Sequence, residues 1–408
     1  FKISIHQGKT MTAKEIDIYL TSDVTHSNEK TYLKKKNIVG MSRTELNTAL
    51  LTIEPQAKNF KMRENQIWNW VYQKGVKDFD LMTNISKEYR EALKKSFVIE
   101  RHRIIKKQIS TDGTRKYLLS LQDGNQIEAV YIPERDRGTL CISSQVGCTL
   151  NCSFCFTGTQ KLVRNLSAAD IVGQVLVVRD DLDEWPKNGI TKHSKRQISN
   201  IVMMGMGEPL YNYNAVRDAL HIVMDNEGIA LSKKRITLST SGVVPKIEKT
   251  GHEIGCLLAI SFHATTDEVR NNLVPINKKW NIAQLLKTLR NYPTLSNSQR
   301  ITFEYVMLKN INDSDADAKR LVKLIAGIPA KINLIPFNPW PGSPYERSTK
   351  KRIEAFAKII NRAGYASPVR YPRGEDIMAA CGQLKSDSLK INRALYKINA
   401  PLQSITGL

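Results

Sequence analysis

The sequence predicts an α/β protein: six strand–helix units in a row, preceded by a small helical region and a short strand-containing linker. Two observations predict it. From about residue 139 to 373, short apolar runs near 140–146, 201–204, 235–239, 257–262, 301–307 and 332–335 alternate with longer segments of helical spacing. In the last such segment Ile353, Phe356 and Ile360 recur at intervals of three and four residues. Alternation of this kind implies parallel strands joined by right-handed crossovers. Six units fit a partial barrel, although the pattern alone does not separate it from a closed eight-unit barrel or an open sheet.

Residues 1–40 are polar, lysine-rich and weakly periodic, the composition of a flexible leader. The chain opens on Phe1, so Met11 is the expected initiator. At Met41 the pattern changes: Ser42 is placed to cap a helix over Glu45, Leu46, Ala49 and Leu50. A second helix is expected around Ile67, Trp68, Trp70 and Val71, and a third from Ser86 through Tyr89 and Leu93. Residues 41–100 therefore read as a helical accessory domain that binds RNA. Its tryptophans fall within the apolar pattern and are expected in its core rather than on a base-stacking platform. Residues 101–138 read as a linker. Around its start lie Lys94, Lys95, Arg101, His102, Arg103, Lys106 and Lys107, and two strand-like segments follow with Asp123-Gly124-Asn125 as the turn. An exposed charged hairpin and a phosphate-contacting patch both fit. Further on, the polar segment 180–196 reads as a loop touching RNA or as a surface insertion, and 386–408 as a tail.

The chain has 408 residues with 61 basic against 39 acidic, a net charge of +22. Such a surplus favours a polyanionic partner, nucleic acid ahead of an acidic membrane surface. Six cysteines in this length do not make a disulfide scaffold, and four of them (Cys141, Cys148, Cys152, Cys155) are clustered, as in metal chemistry in a reducing compartment. No apolar run has the length of a membrane span, so a cytoplasmic location is expected.

Cys148, Cys152 and Cys155 form a CxxxCxxC set. Thiolates are the soft ligands of iron–sulfur clusters, and a cubane normally takes four of them, so three leave one iron open. Zinc sites more often show two CxxC pairs, and no second pair exists here. Positions i, i+4 and i+7 would also share a helix face, but Gly147, Thr149 and Asn151 favour a loop. In parallel α/β architectures ligands collect at the carboxyl ends of strands. Gly205-Met206-Gly207-Glu208-Pro209, Ser239-Thr240-Ser241-Gly242, Ser261-Phe262-His263 and Pro336-Phe337-Asn338-Pro339 all follow predicted strands. A lone His263 would more often be structural; convergence of these segments beside the cysteine loop points to one site.

With Phe154 before the last cysteine, this set resembles the signature of radical S-adenosylmethionine (SAM) enzymes. The segments Cys141 to Cys148, Met203 to Pro209, Leu238 to Gly242, Val274 to Lys278 and Ala380 to Gln383 are similar to the RlmN type, whose members are dual-specificity RNA methyltransferases that install 2-methyladenosine. The resemblance spans about 41–383 and implies a partial (β/α)6 radical SAM barrel with residues 139–385 as its core. It implies a [4Fe-4S] cluster on Cys148, Cys152 and Cys155, and SAM held by Gly207, Glu208, Ser239, Ser261, Phe262, His263 and Asn338. It also implies Cys381 as the methyl-carrying cysteine, Cys141 as its partner thiol and Glu128 as proton acceptor.

In that chemistry two SAM molecules are used per turnover. One methylates Cys381; the other supplies the radical that takes hydrogen from that methyl group. The carbon radical adds to carbon 2 of adenine, and release leaves a Cys141–Cys381 disulfide for external reductant. The implied substrates are an adenosine of the peptidyl transferase centre of 23S rRNA and the adenosine 3′ of the anticodon in certain tRNAs. A reducing donor such as flavodoxin and a monomeric state are also expected, with no membrane partner. Competing readings are a carbon-8 methyltransferase that confers antibiotic resistance and uses the same cysteines, a glycyl-radical activase that needs neither Cys141 nor Cys381, and a non-catalytic RNA-binding protein with a structural metal. Cys256, in an apolar strand, reads as a core thiol.

Overall fold

The computed structural model describes residues 35–54, 60–135, 137–186, 196–293, 295–296 and 299–386. Expectations for most of the leader, for Met11, for Lys192 and Lys195, and for nearly all of the tail lie outside the described residues. The unit described below begins at Asn37.

Three helices open it. In α1 (Arg43–Leu51) the Ser42 side chain accepts from the Glu45 N–H and Glu45 reaches back to the cap, a complete capping box. Helix α2 (Phe60–Trp68) runs on into a π turn over Asn69–Gln73, and α3 (Lys87–Ser96) is capped by Ser86. Leu46, Leu50, Ile67, Trp68, Val71 and Leu93 are buried between them. Trp68 is a core residue as expected, whereas Trp70 is half-buried under the Lys74 ammonium at 3.6 Å.

The central sheet takes its strands in chain order. β1 (Arg103–Ile109), β2 (Arg115–Ser120), β3 (Gln126–Pro133) and β4 (Gly138–Cys141) pair antiparallel. Then β5 (Asn200–Met203), β6 (Ile236–Thr240), β7 (Leu257–Ser261), β8 (Ile301–Met307) and β9 (Ala330–Pro336) continue parallel to β4. Helices α4 (Ala168–Asp181), α5 (Tyr213–Met224), α6 (Val244–Glu253), α7 (Asp267–Leu273), α8 (Ile282–Arg290) and α9 (Asp315–Leu324) fill the crossovers, and α10 (Lys350–Arg362) follows the last strand. All seven residues of β8 are buried, as expected of a parallel strand covered on both faces. β4 and β9 stand at opposite limits of the parallel run and do not pair with each other among the described residues. Six parallel strands in an unclosed run are a partial barrel. Among the described residues no helix is long and apolar enough to cross a membrane.

Two expectations change. The first barrel strand does not run to Val146: after Cys141 the backbone leaves the sheet, because the Ser143 N–H donates to Gln174 Oε1 and the Ser143 hydroxyl to the Glu128 carbonyl. The segment 101–138 is not a separate hairpin either; its strands extend the barrel sheet itself. Its basic residues divide accordingly. Lys95, Arg103 and Lys106 are exposed. Arg101 turns inward to Asp180 at 3.3 Å, His102 Nε2 lies 2.8 Å from the Asp170 carbonyl, and Lys107 pairs with Asp181 at 2.7 Å. The Asp123–Asn125 turn forms as read, closed by the Leu121 N–H on the Asn125 carbonyl at 2.8 Å. Trp185, from the segment read as an RNA-touching loop or a surface insertion, packs under the Arg179 guanidinium at 3.8 Å and donates to Asp180.

Candidate functional site

The ends of the parallel strands surround one cavity. Its wall includes Cys148, Cys152, Cys155, Gly207, Glu208, Ser239, Ser261, His263, Asn338 and Cys381. The cysteine loop starts at Gly147, whose φ is +75° and where a Cβ would sit 2.3 Å from the Lys161 carbonyl; only glycine fits that turn. Gln145 then ties two loops together. Its Nε2 donates to Thr149 Oγ1 at 2.7 Å, while its Oε1 accepts from the N–H groups of Thr149 and Glu208, each at 3.0 Å. Nothing in the sequence marks Gln145 beyond its place in the motif, because its partners come from two separate loops.

The donor set fits an iron–sulfur cluster. The Leu150 N–H points at the Cys148 sulfur at 3.3 Å, and backbone N–H groups of Gly158 and Thr157 stabilise a Cys155 thiolate. Hydrogen bonds to ligand sulfurs are a standard means of tuning such clusters. Burial raises all three thiols, Cys148 to about 12, and mutual repulsion raises Cys152 further. Three thiolates held this close need a cation among them. Among the described residues no three His, Cys, Asp or Glu side chains are arranged around a single metal ion; the loop instead suits a cluster in which each thiolate has its own iron.

Glu208 is buried, which raises its carboxyl, while the N–H groups of Ser241 at 2.8 Å and Leu210 at 3.0 Å hold it in place. His263 occupies the left-handed region at φ +57°. Its Nδ1 accepts from the Val306 N–H at 3.1 Å, so the proton of the neutral ring is on Nε2, and burial lowers its pKa to about 3. The Phe154 ring meets it edge-on at 4.6 Å. Phe262, by contrast, does not put its side chain into the cavity: it is fully buried and packs on Phe303 at 5.3 Å.

Arg270 was not singled out by its sequence. It is completely buried and donates to the carbonyls of Ser241 (2.8 Å), Ser261 (3.0 Å) and Phe262 (3.0 Å) and to Asn277 Oδ1 (2.8 Å), joining the ends of β6 and β7. The 274–278 motif thus supplies, in Asn277, the partner of a buried cation. Burial lowers Arg270 to about 10, and its charge favours a thiolate at Cys152.

Cys381 opens to the cavity from a loop held on several sides. Asn338 Nδ2 donates to the Cys381 carbonyl at 3.1 Å, the Phe156 N–H to the Gly382 carbonyl at 2.7 Å, and Gln383 Nε2 to the Pro339 carbonyl at 2.7 Å. Cys141 lies behind, buried in β4, its thiol raised by burial and then by charge at Cys381. The Cys141–Cys381 disulfide that the resemblance implies is not formed: both thiols are free. Glu128 is neither solvated nor on the cavity wall. Its Oε2 accepts from the Lys385 N–H at 2.9 Å, and Lys116 lies 3.4 Å from Oε1. Nothing in its sequence context marks Glu304, on the cavity wall in β8, which accepts from Asn333 Nδ2 at 2.8 Å.

Comparison with known proteins agrees with this geometry. Residues 142–322 match the model of the radical SAM superfamily, and residues 36–99 that of the ribosomal RNA large subunit methyltransferase N-terminal domain. The chain is 66% identical over 365 residues to the dual-specificity RNA methyltransferase RlmN of Paracoccus denitrificans, covering 90% of this chain and 93% of that one. It is 64% identical over 367 residues to the protein of the same name from Dinoroseobacter shibae, again covering 90% and 93%. A crystal structure of a radical SAM methyltransferase from Sphaerobacter thermophilus superposes with a TM-score of 0.77 at 38% identity, covering 86% of this chain and 99% of that one.

Proposed function

The chain belongs to the RlmN family of radical SAM RNA methyltransferases, and on that premise we propose that it methylates carbon 2 of an adenosine in 23S rRNA and of the adenosine 3′ of the anticodon in certain tRNAs. One observation carries the reading: three loop thiols, the Glu208 carboxylate and the Cys381 thiol line a single cavity. Cys148, Cys152 and Cys155 would hold a [4Fe-4S] cluster. When bound, the cluster and two SAM molecules supply a one-electron cleavage and a methyl group, with reducing equivalents from a donor such as flavodoxin.

The chain's own residues then have distinct tasks. Glu208, fixed by two backbone N–H groups, binds the ammonium of the methionyl part of SAM, with Gly207 leaving room beside it. Ser239 and Ser261 serve its hydroxyl and carboxylate groups without adding charge. His263 donates from Nε2 as a neutral ring. Asn338 contacts SAM and also fixes the Cys381 loop. Cys381 carries the methyl group to the base, and Cys141, buried behind it, resolves the adduct. Glu128 is the proton acceptor for carbon 2 once the loop carrying Lys385 lets it reach the base. The protein acts as a cytoplasmic monomer, with residues 41–100 contacting RNA.

The test is an anaerobic assay with reconstituted protein, an rRNA fragment and tRNA, followed by mass mapping. Methyl at carbon 2 of both is expected; methyl at carbon 8 would overturn the regiochemistry.

A further inference from the structure

Methyl transfer from a sulfonium to Cys381 needs a thiolate, and the protein withholds one. Cys381 is a free thiol on the cavity wall, protonated at neutral pH as cysteines ordinarily are, and the charge of Glu304 disfavours its ionisation. Some group must take its proton. Two carboxyl groups stand on the cavity wall, Glu208 and Glu304. Glu208 already accepts two backbone N–H groups and faces the β6 end of the cavity. Glu304 is less committed. It is buried in the middle of β8, in register with Ser261 on one side and Asn333 on the other, and Asn333 binds one of its oxygens.

We propose that Glu304 is the general base that deprotonates Cys381 during its methylation. This inference rests on the function proposed above and adds a residue to it. The Sγ proton passes to the Glu304 carboxylate, and the freed sulfur pair forms the bond to the methyl carbon. The bond between that carbon and the sulfonium sulfur breaks, its electrons neutralising the sulfonium, so that S-adenosylhomocysteine leaves. Charge balances without a further reactant. Burial pushes Glu304 up to about 7, opposed by Asn333 and by the cations Arg370 and Lys331, which suits a base working near neutrality.

The experiment compares wild type, Glu304→Gln and Glu304→Asp as reconstituted full chains without RNA or reductant. It follows methyl transfer from SAM to the Cys381 peptide by mass spectrometry, and in parallel the alkylation of that peptide by iodoacetamide. Removing the Glu304 charge makes Cys381 easier to ionise, so alkylation of Glu304→Gln is expected to quicken. Its methyl transfer is expected to slow roughly 100-fold, to lose the rise through about pH 7 expected of wild type, and to recover in part in Glu304→Asp. Unchanged SAM binding in equilibrium dialysis would separate this from a binding defect. If the two rates rise together in Glu304→Gln, Glu304 acts only through its field and the inference is overturned. If wild type leaves Cys381 unmethylated, the proposed function fails and the inference with it.

Discussion

His263 holds a left-handed backbone, uncommon for a residue other than glycine, and burial keeps its ring neutral. With a pKa of about 3 in the fold against 6.5 when unfolded, it takes up a proton more readily in the unfolded chain. Stability that is full above pH 6.5 is therefore lost as pH falls from 6.5 towards 3, by on the order of 5 kcal/mol. Denaturant titrations across that range should show the loss, and His263→Asn, which tolerates positive φ, should remove this part of it. Glu208 makes a second test. In Glu208→Ala the N–H groups of Ser241 and Leu210 lose their acceptor, each at about 1–3 kcal/mol. SAM affinity measured by dialysis should drop at least ~100-fold with the loss of the charged partner. The cavity-wall residues Gly207, Glu208, Ser239, Ser261, His263 and Asn338 were legible because they lie at or just past the ends of strands. Arg270 was not, since a buried arginine is recognised only through carbonyls brought from three other positions.

At the scale of elements, apolar runs marked the barrel strands because most of their residues are buried, although polar residues such as Glu304 in β8 interrupt them. The Ser42 cap was equally readable, and the third helix was expected to start at Ser86, which proves to be its cap. The exit from β4 after Cys141 was hidden, for it depends on Gln174 reaching across from α4. The cysteine loop depends on Gly147. Gly147→Ala forces a Cβ against the Lys161 carbonyl, strain worth more than about 2 kcal/mol. Iron and sulfide content after anaerobic reconstitution should fall sharply, while far-ultraviolet circular dichroism changes little.

At the scale of the molecule, Arg43 fastens the helical region to the barrel. From α1 its guanidinium reaches Asp225, just past α5, at 2.7 Å, together with Glu227 at 2.7 Å and Glu64 at 3.0 Å. The Asp225 hydrogen bond is the largest influence on the group and raises its pKa, against partial burial. Arg43→Ala should lower stability by roughly 2 kcal/mol, since the cluster is only partly shielded from water. It should reduce RNA methylation more than methylation of Cys381 itself, because the barrel cavity is untouched. Such long-range ties, like the inward turn of Arg101 to Asp180, were opaque in the sequence because the partners lie far apart along the chain. The Cys381 loop is tied across a similar span: Thr157 and Leu384 are bonded across 227 positions, one beside the cysteine loop and the other just past Cys381. The chain must therefore be made through at least residue 384 before the Cys381 thiol can be held at its cavity.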